Sequence, residues 1–282
     1  MPKVNMKKCN LLFILIIFFF NACSVFSKPS LKELNGKNVI VFVPGYKGSR
    51  LVNSSGQTVW LSFGQLLFGS ESMAYGSKDN LRVDGVLKEV EVMPYLYSLD
   101  IYQDCFDELN LLENYQVVEF GYDWRESNIS TASKFRELVK KIEKAKPKSI
   151  SVIAHSMGGL SVAYALGYSE PLKIDKIIFL GTLFRGTLKA FLDMNRPNEQ
   201  LPFDENFMTR EDYITFKSAY ELLPHPDDVS FSDTSLKNKD TIYNIENWKT
   251  NSWGTLMHSN DAKDQSLLKD NLEKGKSFFD SF

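Results

Sequence analysis

Four short apolar runs, with helical segments between them, constrain this chain more than anything else in it. "KNVIVFVPG" carries a run of β-branched and aromatic residues, Val39 to Val43, ended by Pro44 and Gly45. A run of this kind bounded by turn residues fits a buried strand. "YQVVEFGYDW" supplies a second, Val117 to Phe120; "SISVIAHS" a third, Ile150 to Ala154; and "IDKIIFLGT" a fourth, Ile177 to Leu180. Before the third, "FRELVKKIEKAKPKS" puts Phe135, Leu138 and Ile142 on one helical face, with Pro147 just past its end. After the third, "GGLSVAYALGYSEP" predicts a helix from Gly159, closed by Gly167 and Pro171. Strands separated by helices pair in parallel through crossovers, so the expected class is α/β. The span from Leu51 to Asp107 lacks this rhythm, and its glycines and aromatics predict a long irregular insertion.

Composition narrows the function classes. The chain has 282 residues, 43% hydrophobic and 24% charged, with a net charge of -2. That suffices for one large domain or two small ones, and there is no basic excess to meet nucleic acid. Charges are interspersed, and neither low-complexity tracts nor repeats stand out. His155, His225 and His258 are far apart in sequence and have no cysteine company, so no metal site is expected.

The N-terminus predicts export. Lys3, Lys7 and Lys8 precede an unbroken apolar run from Leu11 to Phe20, followed by "NACS". A positive start, a short apolar core and a small residue before the cut describe a signal peptide over 1–22. The run is shorter than the roughly 20 residues of a membrane-spanning helix. Met6 also opens a complete start of this kind. "FNAC", Phe20 to Cys23, resembles a bacterial lipobox, although Phe20 and Asn21 depart from the usual leucine and small residue. Two readings fit: Cys23 is lipidated and holds the protein at a membrane surface, or the signal is cleaved in the ordinary way and the protein is secreted. Acyl chains contribute about 0.8 kcal/mol per buried methylene, enough for a multiply acylated cysteine to stay at a bilayer. Only Cys105 remains beyond Cys23, so no disulfide is expected inside the mature domain.

"SISVIAHSMGGL" is where chemistry enters. A strand, then A-H-S-M-G, then a helix is the context that gives meaning to a serine on a tight turn. The turn requires small residues two positions away on each side, and Ala154 and Gly158 supply them. Met157 N–H then lies at a helix start, where an unpaired donor and the helix dipole both favour an oxyanion. A second donor is expected from the loop after the first strand, "VPGYKGSRL", through Tyr46 N–H.

"VFVPGYKGSRL", "GYDWR" (Gly121 to Arg125) and "IAHSMGGL", in this order, together resemble the lecithin:cholesterol acyltransferase family, which includes lysosomal phospholipase A2 and phospholipid:diacylglycerol acyltransferases. "FLGTLFRGTLKAF" and "SAYELLP", Ser218 to Pro224, resemble it too, so the likeness runs from about Val39 to the C-terminus. The resemblance implies an α/β-hydrolase fold with a cap, and transfer of an acyl chain from a lipid ester to serine and then to an alcohol or water. Carried over by position, it implies Ser156 as nucleophile, Tyr46 and Met157 as oxyanion donors, and Asp123 with Arg125 as a buried ion pair supporting the loop near the site. It implies a lipid-ester substrate and no cofactor. The expected organisation is a signal peptide over 1–22, a linker over 23–38 and an α/β-hydrolase-like domain over 39–282. Residues 182–282 are expected to be mostly cap, closed by an amphipathic helix bearing Leu267, Leu268, Leu272, Phe278 and Phe279.

The acid and base are harder to place. In α/β-hydrolases they follow the serine in the order Asp or Glu, then His. The final helix precedes the strand to the catalytic Asp in the family, and this chain ends there at Phe282. Truncation before the last core strands is therefore expected, with an exposed apolar sheet edge. His258 is the remaining candidate base, with Asp227, Asp228, Asp233 or Asp240 as its acid; His225 lies in a segment without a catalytic role in the family. Three readings stay open: a lipid acyltransferase or phospholipase continued beyond this chain, an enzyme that recruits His258, and a non-catalytic surface lipoprotein that binds lipid or protein. The first is the expectation carried forward.

Overall fold

The structure is a computed structural model, and it describes residues 31–62, 64–65, 72–77, 80–93, 97–195, 208–228, 241–257 and 261–281. The strands and first helix run β1 (Asn38–Val43), β2 (Ser49–Val52), β3 (Thr58–Trp60), β4 (Arg82–Val86), β5 (Glu89–Met93), β6 (Tyr97–Asp100) and α1 (Gln103–Asn110). Then come β7 (Tyr115–Glu119), α2 (Asn128–Lys144), β8 (Ser149–His155), α3 (Met157–Leu166) and β9 (Lys176–Leu180). The remaining helices are α4 (Leu188–Asn195), α5 (Arg210–Tyr213), α6 (Lys217–Glu221), α7 (Ile245–Thr250) and α8 (Ala262–Phe279).

The centre is a parallel sheet in the order β7-β1-β8-β9. After Asn38, β1 is apolar and buried from Val39 to Val43, as expected of an inner strand covered on both faces. Val39, Val41 and Val43 share one core with Ile150, Val152 and Ala154 of β8 and with Phe135, Val139 and Ile142 of α2. On the other face Phe42 and Val117 pack with Phe106 of α1. α2 starts on Ser127, whose side chain accepts from Ile129 N–H, and ends with Lys141 and Lys144 near its negative pole.

The expected irregular insertion is corrected here. Its described residues include a three-stranded antiparallel sheet in the order β3-β2-β4 and an antiparallel β5-β6 pair, and α1 follows. These strands have three to five residues and register shifts interrupt their pairing, so no alternation long enough to read develops. Tertiary contacts hold them instead: Trp60 Nε1 donates to Lys47 O at 2.8 Å, and Arg125 Nη1 to Met73 O at 2.9 Å. A second correction concerns α3, which begins at Met157 rather than Gly159.

α8 buries Leu268, Leu272, Phe278 and Phe279, while Leu267 is partly covered. A Cβ on Gly275 would fall 2.5 Å from Tyr220 O, so α8 meets α6 backbone to backbone. Phe278 stacks on Tyr164 of α3 at 5.8 Å, which ties the last helix to the one after Ser156. β9 is different: Ile178 is 52% exposed and Leu180 44%, and no second strand neighbours it among the described residues. Among the described residues no helix is long and apolar enough to cross a membrane.

Candidate active site

Ser156 sits between the last residue of β8 and the first of α3, at φ 50° and ψ -125°. Positive φ is uncommon for a side-chain-bearing residue and costs on the order of 1–3 kcal/mol unless its surroundings impose it. They do so here. Ser156 N–H donates to Leu180 O of β9 at 2.8 Å, and Ser156 O accepts from Gly159 N–H at 3.0 Å. A Cβ on Gly158 would lie 2.3 Å from Pro44 O and 2.8 Å from Val43 Cγ1, so the start of α3 fits against the end of β1 only with glycine there. A Cβ on Gly45 would lie 2.9 Å from both Ser156 Cβ and His155 Nδ1. The loop after β1 therefore rests directly on Ser156.

That loop is a tight turn: Gly48 N–H donates to Gly45 O at 3.0 Å. Lys47, its third residue, takes φ 64°, the left-handed position usually held by glycine or asparagine. Tyr46 N–H takes no part in this bond. Met157, fully buried, opens α3, where its N–H is among the first-turn amides without an intrahelical partner. The Tyr46 ring packs edge-on to Trp124 at 5.3 Å, and burial pushes its hydroxyl well above the usual phenol range. Lys47 Nζ donates to Tyr213 Oη at 2.9 Å and lies within 6 Å of the Tyr46, Trp60 and Tyr213 rings.

Ser156 opens into a cavity of 280 Å³. Tyr46, Lys47 and Tyr213 line it together with Leu183, Ala190 and Leu222. Lys189 and Asp193, paired at 2.6 Å along α4, stand in the same lining.

Asp123 and Arg125 meet in a bidentate pair, Nε to Oδ1 at 2.9 Å and Nη2 to Oδ2 at 2.7 Å, with Arg125 only 2% exposed. Their neighbours fasten the loop after β1: Tyr122 Oη donates to Pro44 O at 2.9 Å, and Trp124 Nε1 to Ser49 O at 3.2 Å. Ser218 Oγ donates to Trp124 O at 2.5 Å. Glu221, 4% exposed, accepts from Ser127 Oγ at 2.5 Å, Asn128 N–H at 2.6 Å and Asn128 Nδ2 at 2.9 Å. Asn128 Oδ1 in turn accepts from Ser161 Oγ of α3 at 2.6 Å. "SAYELLP" is thereby linked to both helices that flank β8.

Of the acid and base candidates, the described ones, His225, Asp227 and Asp228, do not line this cavity. Asp228 is held by Arg185, at 2.6 Å from Nε, and that hydrogen bond lowers its carboxyl below the ordinary range. His225 Nδ1 accepts from Asp227 N–H at 3.2 Å and lies 3.1 Å from Arg185 Nη2. His258, Asp233, Asp240 and Cys23 lie outside the described residues. No group of three or more metal-ligating side chains occurs among the described residues.

One participant was not anticipated. Tyr102 Oη accepts from Gly45 N–H at 3.0 Å and lies 2.7 Å from His155 Nδ1. It comes from the segment expected to be irregular, and its partners lie 57 and 53 residues away, so no local signal marks it.

A parallel sheet with a strained serine between strand and helix, under a loop donated by an earlier strand, is the arrangement of an α/β-hydrolase. The chain belongs to the lecithin:cholesterol acyltransferase family, whose model matches residues 59–279. The match covers the Y-D-W-R segment, Ser156 and α8, and begins after the Tyr46 turn. An uncharacterized protein of Saccharomyces cerevisiae is 27% identical over 230 residues, which are 77% of this chain and 34% of that protein. The chain thus spans about a third of the length of this curated relative. A chain in the crystal structure of the Tle4-Tli4 complex superposes with a TM-score of 0.52 at 14% identity, covering 88% of this chain and 72% of that one. That likeness is one of fold.

Proposed function

We propose that this chain carries the serine of a lipid-ester O-acyltransferase or esterase. Ser156 Oγ attacks the ester carbonyl and gives its proton to a base; the lipid alcohol departs protonated, and the acyl chain stays on the serine. A second alcohol, or water, then takes the acyl chain, which separates transfer from hydrolysis. Tyr46 N–H and Met157 N–H are assigned to the oxyanion. The observation that carries the reading is Ser156 at φ 50° beneath the Gly45–Tyr46 turn, open to a cavity whose lining includes Leu183, Ala190, Ala219 and Leu222. Family membership supports the same chemistry. No candidate base or acid stands in the described cavity lining, and the remaining candidates of this chain are His258 with Asp233 or Asp240. The N-terminal sequence supports a place at a membrane surface through Cys23, which mass spectrometry of the mature N-terminal peptide tests.

The experiment is labelling of the folded full chain with a fluorophosphonate, beside Ser156→Ala. Labelling at Ser156 that disappears in the variant is expected; a folded chain that does not label refutes the reading. A second reading, a lipid-binding protein without turnover, is favoured by one observation: no histidine lines the cavity among the described residues. It predicts no labelling, and equal binding of a lipid-ester analogue by the chain and by Ser156→Ala.

A further inference from the structure

We propose that Tyr102 is the positioning residue that locks the turn over Ser156, acting through a directed chain from Gly45 N–H to Tyr102 Oη–H to His155 Nδ1. The inference rests on the reading of Ser156 as nucleophile and Tyr46 N–H as oxyanion donor.

Gly45 is the hinge of that turn. It has no side chain, because any Cβ would collide with His155 and Ser156, so packing of its own does not restrain its dihedrals. Hydrogen bonds do so instead. Gly45 O, in the same peptide plane as Tyr46 N–H, accepts from Gly48 N–H at 3.0 Å. The plane on the other side of Gly45 is held through its N–H by Tyr102 Oη at 3.0 Å. With both planes fixed, the direction of Tyr46 N–H is fixed; without Tyr102, the Pro44–Gly45 plane loses one of two hydrogen bonds that hold it and keeps the Tyr122 Oη bond to Pro44 O at 2.9 Å.

The donor sequence follows from counting protons. Tyr102 has one hydroxyl proton, and its oxygen already accepts from Gly45. Among the described residues the acceptor within reach of that proton is His155 Nδ1, at 2.7 Å. Nδ1 is then unprotonated and Nε2 carries the hydrogen. Burial lowers the His155 pKa and raises that of Tyr102, in keeping with a neutral imidazole beside a neutral phenol. The ring is held as well: Tyr102 packs edge-on to Phe42 at 5.1 Å and to His155 at 5.7 Å. Ile101, Tyr102 and Gln103 all direct their N–H groups at Lys88 O, at 2.8, 2.8 and 3.1 Å, which anchors the backbone that presents the ring.

The test uses the full chain and Tyr102→Phe, which keeps the ring. Nitrogen-15 spectra of histidine-labelled protein, with His155 assigned by substitution, are expected to show the Nε2–H tautomer in the parent and a mixture of tautomers in Tyr102→Phe. Amide exchange at Gly45 is expected to be protected in the parent and to lose that protection in the variant. Fluorophosphonate labelling at Ser156 is expected to slow about tenfold, the effect of one hydrogen bond of ordinary net strength. An Nδ1–H tautomer in the parent overturns the proposal. So does a folded Tyr102→Phe in which Gly45 exchange is unchanged, or one that labels at the parental rate. If the parent does not label, the nucleophile reading falls while the tautomer and Gly45 exchange still decide what Tyr102 does.

Discussion

Glu221→Ala should unfold this domain far more easily than its single carboxylate indicates. The side chain is 4% exposed and accepts three hydrogen bonds, two of them from Asn128, which is fully buried. A buried hydrogen bond contributes about 1 kcal/mol net. Three of them give about 3 kcal/mol. The expected cost is about 3 kcal/mol, or roughly 6–12 °C in Tm for a domain of this size. Glu221→Gln keeps one acceptor oxygen and should cost about 1 kcal/mol. Urea titration followed by tryptophan fluorescence reads both. An alanine variant that loses less than about 1 kcal/mol, or a glutamine variant as unstable as alanine, would refute the reasoning. The pH dependence gives an independent check. Burial, against the opposing hydrogen bonds of Ser127 and Asn128, raises the Glu221 carboxyl above its ordinary 4.5. The folded state then holds this proton more tightly than the unfolded chain, so its contribution is present below 4.5 and is lost as pH rises through the raised value. Relative to Glu221→Gln, the parent should lose stability across that window.

Three other outcomes are expected. Gly158→Ala drives a Cβ to 2.3 Å from Pro44 O, and should cost about 2–3 kcal/mol in urea while slowing labelling at Ser156. Arg125→Met strips the cation from Asp123 and the donor from Met73 O; an expected loss of about 3–5 kcal/mol is checked by thermal melting, and a loss below about 1 kcal/mol counts against a structural role. Ile178→Lys, at a position 52% exposed on β9, should change stability by less than about 0.5 kcal/mol. It should also raise the monomer fraction in size-exclusion chromatography, because β9 has no second strand beside it among the described residues and an unpaired apolar edge invites pairing between copies.

The parallel sheet was legible because its strands are unbroken β-branched runs closed by turn residues, as in Val39 to Val43 before Pro44-Gly45. The final helix was legible from spacing alone, since Leu268, Leu272 and Phe279 recur on one face. The start of α3 was read two residues late, because Met157-Gly158-Gly159 looks like a continuing turn when the close approach of β1 is unseen. The sheets of residues 49–100 were missed for a different reason. A three-residue strand such as Thr58–Trp60 carries no periodicity, and contacts with distant segments specify it. At the candidate site, local pattern reached Ser156 and its small neighbours. It did not reach Tyr102 or the Glu221–Asn128–Ser161 chain, because a hydrogen bond across 53 or 93 residues leaves no mark on either flanking sequence.

The place of β1 in the sheet also sets the order in which this chain can fold. β1 is the first strand made, yet both its neighbours come late: Asn38 pairs with Tyr115 on one side and Ser149 on the other. At about 5–20 residues per second of synthesis, β1 waits roughly 4–20 seconds for these partners. During that interval five consecutive apolar residues, Val39 to Val43, have no parallel strand beside them. Non-local parallel pairing is slow because loop closure must precede any gain from contacts. The antiparallel strands β2, β3 and β4, with shorter loops between them, can assemble earlier. The strand that carries the Tyr46 turn is thus secured long after it is made, and Ser156 meets it only once β8 has docked.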